Sequence, residues 1–156
     1  MIEIKHQWTG APILRVEADS LIGANLTRAN LTDANLIDAN LTRANLIGAS
    51  LCGASLCGAD LTRARYSVPQ VLAANWGRVS PDLCHYLMRY DASHWPDGAR
   101  LLDAWAAGGP CPATVSGGVL RAAQFRERRE CWRMDLPPIT AWELWEMLAK
   151  EKEVKI

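Results

Sequence analysis

The sequence predicts a repeat solenoid over residues 19–78, preceded by a short strand pair in residues 1–18 and followed by a helical region over residues 79–156. Three observations predict it. Leucine recurs every five residues without a break, at 21, 26, 31, 36, 41, 46, 51, 56 and 61. Alanine stands two residues before eight of these leucines, from Ala24 to Ala59, and Ala64 continues the series. Between alanine and leucine lies Asn25, Asn30, Asn35, Asn40, Asn45, Ser50, Ser55 or Asp60. The register continues in degraded form through Tyr66 and Val71 and returns as Ala74-Asn75-Trp76, giving twelve centres from Leu21 to Trp76.

A period of five fits neither a strand alternation nor an α-helix. Positions five apart on a helix are rotated by about 140°, which would spread the leucines around the whole cylinder. The pattern calls for a structure whose own turn takes five residues, and a unit that small buries its apolar face only by stacking on neighbours.

The residues match A-(D/N)-L-x-x nearly letter for letter over about 45 positions, and in this the chain resembles the pentapeptide-repeat family. The resemblance implies a mainly β fold, a right-handed quadrilateral β-helix in which each repeat forms one side of a square. Four repeats make a coil of 20 residues, and twelve make three coils stacked at about 4.8 Å. Leu and the Ala before it face inward, and the other three residues face outward. Residues 20 apart then share a column: Asn25 with Asn45, Thr42 with Thr62, Arg43 with Arg63, and Asp38 with Gly58. Cys52 and Cys57, each following a leucine, project outward on adjacent faces as small fillers in the slot that is Thr elsewhere.

The open ends of such a stack need covering. Ile2-Glu3-Ile4-Lys5-His6 and Ile13-Leu14-Arg15-Val16-Glu17 read as two short strands joined by the turn Thr9-Gly10-Ala11-Pro12, a cap for the first coil. Beyond Gly77 the pattern is helical. Ser80-Pro81 is an N-cap followed by proline at the first helical position, with Leu83, Tyr86, Leu87 and Tyr90 as the apolar stripe. A second helix spans about 97–107, with Leu101, Leu102 and Trp105 inward and Gly108-Gly109-Pro110 as its stop. A third is expected around 119–131. Thr140-Ala141-Trp142-Glu143 is a capping box that opens a last helix running to about Lys152. Its Trp142, Trp145 and Leu148 form a candidate face, either covering the end of the solenoid or pairing with a second copy across a two-fold axis.

Composition excludes several functions. Lys+Arg and Asp+Glu are both 17 in 156 residues, so the formal net charge is zero and a general nucleic-acid or membrane-surface binder is not expected. No apolar run is long enough to span a bilayer, and the N-terminal residues lack a signal-peptide pattern, so a reduced bacterial cytoplasm is the expected location. The five cysteines, 52, 57, 84, 111 and 131, are odd in number and irregular in spacing, which argues against a disulfide framework. With only three histidines in the chain, Cys84-His85 is the one close nucleophile–base pair. Adjacent helical residues point about 100° apart, so neither a catalytic site nor a metal site is expected, and no cofactor.

Candidate partner-binding residues are therefore basic and exposed. Arg43 and Arg63 lie in one column of the solenoid. Arg121, Arg126, Arg128 and Arg129, with Arg133, form a cluster interleaved with Phe125 and Trp132 and broken by Glu127 and Glu130. Mixed signs at helical spacing also describe a solvated face.

The best-known members of the family bind DNA gyrase and topoisomerase IV by looking like a rod of acidic duplex DNA. Residues 21–65 carry Arg28, Arg43, Arg63 and Arg65 against Asp33, Asp38 and Asp60, four minus three, or +1. Three coils cover only about 10–15 Å. Both facts weaken that reading. The segments Ile2–Gly10, Leu87–Ala92 and Trp105–Pro112 also resemble small pentapeptide-repeat proteins carried by phages and prophages. This second resemblance implies a binding protein that inhibits a bacterial host protein or defence complex, a nucleic-acid-handling enzyme among the candidates, with a gyrase- or topoisomerase-binding protein or a homodimeric structural module as the alternatives.

Overall fold

The computed structural model describes residues 1–94, 96–109, 131–132 and 135–156. They fall into two compact units: Met1–Arg78 with Trp145–Ile156, and Val79–Leu144.

In the first unit, β1 (Ile2–Lys5) and β2 (Pro12–Val16) form an antiparallel hairpin. The Glu3 carboxylate meets Arg15 Nε across it at 3.0 Å. The hairpin is bonded onto the repeat region: Asn35 N–H donates to Lys5 C=O at 2.7 Å, and Gln7 N–H donates to Asp33 C=O at 2.9 Å. The Gln7 amide reaches one winding further, to Gly53 C=O.

The repeat region winds with a period of 20 residues. Parallel bridges join Asn25 to Asn45, Asn30 to Ser50, Asn35 to Ser55, Asn40 to Asp60 and Asn45 to Arg65. Each leucine N–H from 26 to 46 donates to the carbonyl 19 residues on, as Leu41 does to Asp60 at 2.8 Å. Leu26, Leu31, Leu36, Leu41, Leu46, Leu51, Leu56 and Leu61 are all at most 2% exposed, with Ala34, Ala44, Ala54 and Ala59 packed between them. The core is therefore almost purely aliphatic.

Among the described residues no strand forms within these windings, and the only sheet is the two-stranded hairpin. The expectation of a mainly β chain is corrected here, and the reason is local. Asn25, Asn30, Asn35, Asn40 and Asn45 each accept on Oδ1 from the backbone N–H two residues on, as Asn30 does from Thr32 at 3.1 Å and Asn40 from Thr42 at 3.1 Å, and Asp60 does the same with Thr62. This Asx turn bends the chain directly after the bridged residue. The residue before each alanine is then left-handed: positions 23, 28, 33, 38, 43, 48, 53, 58 and 63 all have φ between +55° and +75°. Extended backbone lasts for one bridge per repeat and no longer.

Left-handed backbone costs a non-glycine residue about 1 kcal/mol. Glycine at 53 and 58 also makes room, because a Cβ on Gly58 would lie 2.0 Å from Asp38 Oδ1, and one on Gly53 would lie 2.2 Å from Asp33 Oδ1. The aspartate of one winding leans over the glycine of the next. Gly58→Ala is expected to cost about 1–2 kcal/mol, combining backbone strain with displacement of Asp38. Urea midpoints will show it, and Asp38→Ala in the same chain should recover the part owed to the collision but not the part owed to φ.

The regular repeat ends at Arg65. Residues expected to continue it through Val71 form instead a short helix, α1 (Val68–Leu72). Its start is fixed by Ser67 and Gln70: Ser67 N–H donates to Gln70 Oε1 at 2.8 Å, while Gln70 Nε2 donates to the carbonyls of Leu46 and Ala49 at 2.9 and 2.8 Å. The twentieth-residue register returns afterwards, with Asn75 N–H bonded to Ala54 C=O at 2.7 Å and Val71, Ala74 and Trp76 buried.

The far edge of the windings is met by the last residues of the chain. Gly58 N–H donates to Lys152 C=O, Leu61 N–H to Lys155 C=O, and Lys155 N–H to Ala59 C=O, at 2.9, 2.7 and 3.0 Å. In the preceding winding, Asp38 N–H donates to Cys57, Leu41 N–H to Asp60, and Asp60 N–H to Ala39. Lys152 and Lys155 thus stand where residues 77 and 80 of a further winding would. Glu153 has φ +56°, like the residue before each alanine, and Val154 is 7% exposed in the alanine slot. Val154-Lys155-Ile156 is a degenerate copy of Ala59-Asp60-Leu61 that sequence reading missed.

In the second unit, α2 (Pro81–Ser93) begins at Ser80, whose Oγ accepts from Leu83 N–H at 3.5 Å. Burial extends beyond the expected stripe to Cys84, His85 and Met88. Helix α3 (Gly98–Ala106) packs on α2 and buries Leu102 and Trp105. The helix expected around 119–131 lies outside the described residues. Helix α4 (Ala141–Glu151) opens on the expected capping box, with Glu143 N–H donating to Thr140 Oγ1 at 3.2 Å and Thr140 N–H to Glu143 Oε2 at 2.7 Å. The Thr140 backbone and hydroxyl bonds hold the Glu143 carboxyl below its ordinary range. No helix among the described residues is long and apolar enough to cross a membrane.

Candidate partner-binding surface

Of the two positions after each leucine, the first lends its backbone N–H to the Asx turn, and neither places its side chain in the core. Their side chains are set by the windings beneath them. Arg43 and Arg63 occupy the left-handed slot of successive windings, with φ of +59° and +57°. Arg43 N–H is bonded to Thr62 C=O at 3.0 Å, which places the two arginines one winding apart on the same corner. Both are exposed, and neither pairs with a carboxylate among the described residues. Arg121, Arg126, Arg128 and Arg129 lie outside the described residues, as does Cys111.

Of the residues expected to form a helical face, Trp145 and Leu148 are fully buried, and Trp142 in the first turn of α4 is 49% exposed. Trp145 packs edge-on to Tyr66, donates its Nε1–H to the Tyr66 hydroxyl at 3.2 Å, and lies 5.5 Å from the Trp76 ring. Lys152 Nζ adds a bond to Arg78 C=O at 2.5 Å.

The potential chemistry sites are less open than their residue types suggest. Cys84 is fully buried and His85 is 1% exposed. His85 packs 4.9 Å from the Trp132 ring and lines a cavity of about 430 Å³ with Arg89, Asp103 and Trp132. Trp132 Nε1–H donates to Asp103 Oδ1 at 2.8 Å, so that carboxylate is engaged. Cys52 is exposed, Cys57 half-buried and Cys131 buried. Among the described residues no group of three His, Cys, Asp or Glu side chains could hold a metal ion.

Besides Glu143, one carboxyl of the windings has a shifted titration. Asp60 is held below the ordinary carboxylate range by the Thr62 hydroxyl, then by the Thr62 N–H, with Lys155 and Thr42 acting in the same direction against desolvation. A carboxyl whose folded pKa lies below its unfolded value stabilises the fold above that unfolded value, about 4, and loses the contribution as pH falls through the folded one. Asp60→Asn retains an Oδ1 for Thr62, as asparagine does in the preceding repeats. The variant should match the wild type near neutral pH and lose less stability than it does as the pH falls below the ordinary carboxylate range, read from urea midpoints along the pH series.

A pentapeptide-repeat family model matches the chain over residues 20–46 and 39–65, with eight copies. No curated protein matches, and no solved structure matches.

Proposed function

The chain belongs to the pentapeptide-repeat family over residues 20–65, and on that premise we propose that it is a non-catalytic scaffold that binds and inhibits a bacterial host protein or defence complex. The observation that carries this reading is the division of labour within each five residues. Leu and Ala are consumed by the core and Asn by its turn, so the remaining outward positions are free to recognise a partner on a rigid support. The windings are read as coils of a right-handed quadrilateral β-helix, with the N-terminal hairpin and the C-terminal residues as its two covers. The phage or prophage origin rests on the likeness of the segments at 2–10, 87–92 and 105–112.

A second reading, a structural homodimer, is favoured by the exposure of Trp142 at the start of α4. Affinity capture with the tagged full chain from bacterial lysate separates the two. The scaffold reading expects one host protein recovered in stoichiometric amount, whose activity falls as the chain is added. A stable dimer by light scattering with no such protein would overturn it. A supercoiling assay with DNA gyrase tests the narrower DNA-mimic version, and no inhibition is expected, given a repeat surface of +1.

A further inference from the structure

The corners of the windings are sorted by charge. In chain order the left-handed slots form four columns: Gly23/Arg43/Arg63, Arg28/Gly48, Asp33/Gly53 and Asp38/Gly58. Two neighbouring corners are basic and the next two are acidic. The side between the two basic corners is built from the repeats centred on Leu26, Leu46 and Tyr66. Its outward residues include Arg65, which bridges to Asn45, and Ile47, which is 42% exposed. No Asp or Glu occurs at any outward position of this side or its corners. Arg28, Arg43, Arg63 and Arg65 are all exposed, and none pairs with a carboxylate among the described residues.

Two details sharpen the chemistry. Arg28 Cγ lies 3.2 Å from where a Cβ of Gly48 would be, so the glycine leaves room for the arginine stem to run toward the winding that holds Arg43. The acceptors of this side are already used: Asn25 Oδ1 takes the Thr27 N–H and hydroxyl at 3.2 and 2.6 Å, and Asn45 Oδ1 takes the Ile47 N–H at 3.2 Å. What remains outward is a set of donors and positive charges around one aliphatic side chain.

Resting on the scaffold reading above, we propose that this side is the docking surface and that its partner is an acidic protein segment carrying an apolar residue. The four guanidiniums take the carboxylates, with fork geometry suited to them, and Ile47 packs against the apolar group. A nucleic acid would satisfy the arginines but offers its backbone no aliphatic group to cover Ile47. The zero net charge of the chain also gives no long-range attraction to a polyanion.

The test uses the full chain and a fluorescein-labelled nonapeptide of glutamates around one central leucine, followed by anisotropy. An all-glutamate nonapeptide and a short DNA duplex serve as comparisons. The leucine-bearing peptide should bind tightest, and added salt should weaken it. Arg43→Gln with Arg63→Gln should reduce its affinity by about tenfold, while Arg15→Gln on the hairpin leaves it unchanged. Ile47→Ser should remove the preference for leucine over the all-glutamate peptide. Tighter binding of the duplex, indifference to the double substitution, or self-association that Arg43→Gln abolishes in place of peptide binding would each overturn the proposal. A host protein captured equally by the double variant would overturn this surface while leaving the scaffold reading intact.

Discussion

Leu41→Ala is expected to destabilise the first unit by about 3 kcal/mol, within the range of about 2–5 kcal/mol for a fully buried leucine truncated to alanine. Leu41 has no exposure, sits between Leu21 and Leu61 in its column, and has Leu36 and Leu46 on either side in its own winding. The neighbouring windings are tied to its own by Leu41 N–H donating to Asp60 C=O on one side and by Gly23 N–H donating to Thr42 C=O on the other, so the backbone cannot collapse inward to fill the gap. The same truncation at Leu21, which is half-buried at the start of the ladder, should cost only about 1 kcal/mol, since little area is lost and solvent enters without leaving a cavity. Leu41→Met keeps the volume and should cost less than about 1.5 kcal/mol. Equilibrium urea unfolding orders the three. A Leu41→Ala cost no larger than that of Leu21→Ala would mean the leucine column is not the continuous core described above.

That ladder was legible because a five-residue period has no other regular host, and each slot has its own physical demand. Leu26 to Leu61 show the inward demand directly, and Asn25 to Asn45 show the Asx turn. The left-handed slot is visible at Gly48, Gly53 and Gly58 but hidden at Arg28, Asp33, Asp38, Arg43 and Arg63, where side chains accept a strained φ. Sequence reading therefore found Arg43 and Arg63 as one column but not the role of Gly48 in seating Arg28. Helix α1 was overlooked although Ser67-Val68-Pro69-Gln70 carries a capping-box spacing, because the burial of Val71 and Trp76 keeps the repeat register through it. The helices α2 and α4 announced themselves by Ser80-Pro81 and by Thr140 with Glu143, both local signals. The closing Val154-Lys155-Ile156 could not be found by periodicity. It is a single triplet, shares no letter with Ala-Asp-Leu, and joins the windings from more than 90 residues away in the chain. Only the alternation of apolar, polar and apolar marks it, and thousands of triplets share that.

Ending the chain at Glu151 is expected to lower stability by about 2 kcal/mol and, with larger practical effect, to make the protein self-associate. Removing residues 152–156 deletes the partners of Gly58 N–H, Leu61 N–H and Ala59 C=O, each bond worth about 1 kcal/mol net, and exposes the surface that Val154 covers, worth about another 1.5 kcal/mol. The entropy of ordering five terminal residues offsets part of this sum. The Lys155 to Asp60 pair at 3.8 Å adds little, because Lys155 is largely in solvent. What remains after truncation is a row of backbone groups already held in the geometry that accepts another winding. Water satisfies them individually, but a second copy of the same edge or any extended segment satisfies them together. Sedimentation velocity should show the truncated chain forming larger species than the full chain at equal concentration. Lys155→Pro separates the two effects within the full-length protein: it removes the N–H that bonds Ala59 and places a ring where the edge must be met, while leaving α4 intact. If the edge is the cause, Lys155→Pro will associate like the truncated chain despite retaining every other residue. If it behaves as the full chain does, the terminal residues contribute only their burial, and the cover of that edge must be sought in the Trp145 packing against Tyr66 and Trp76.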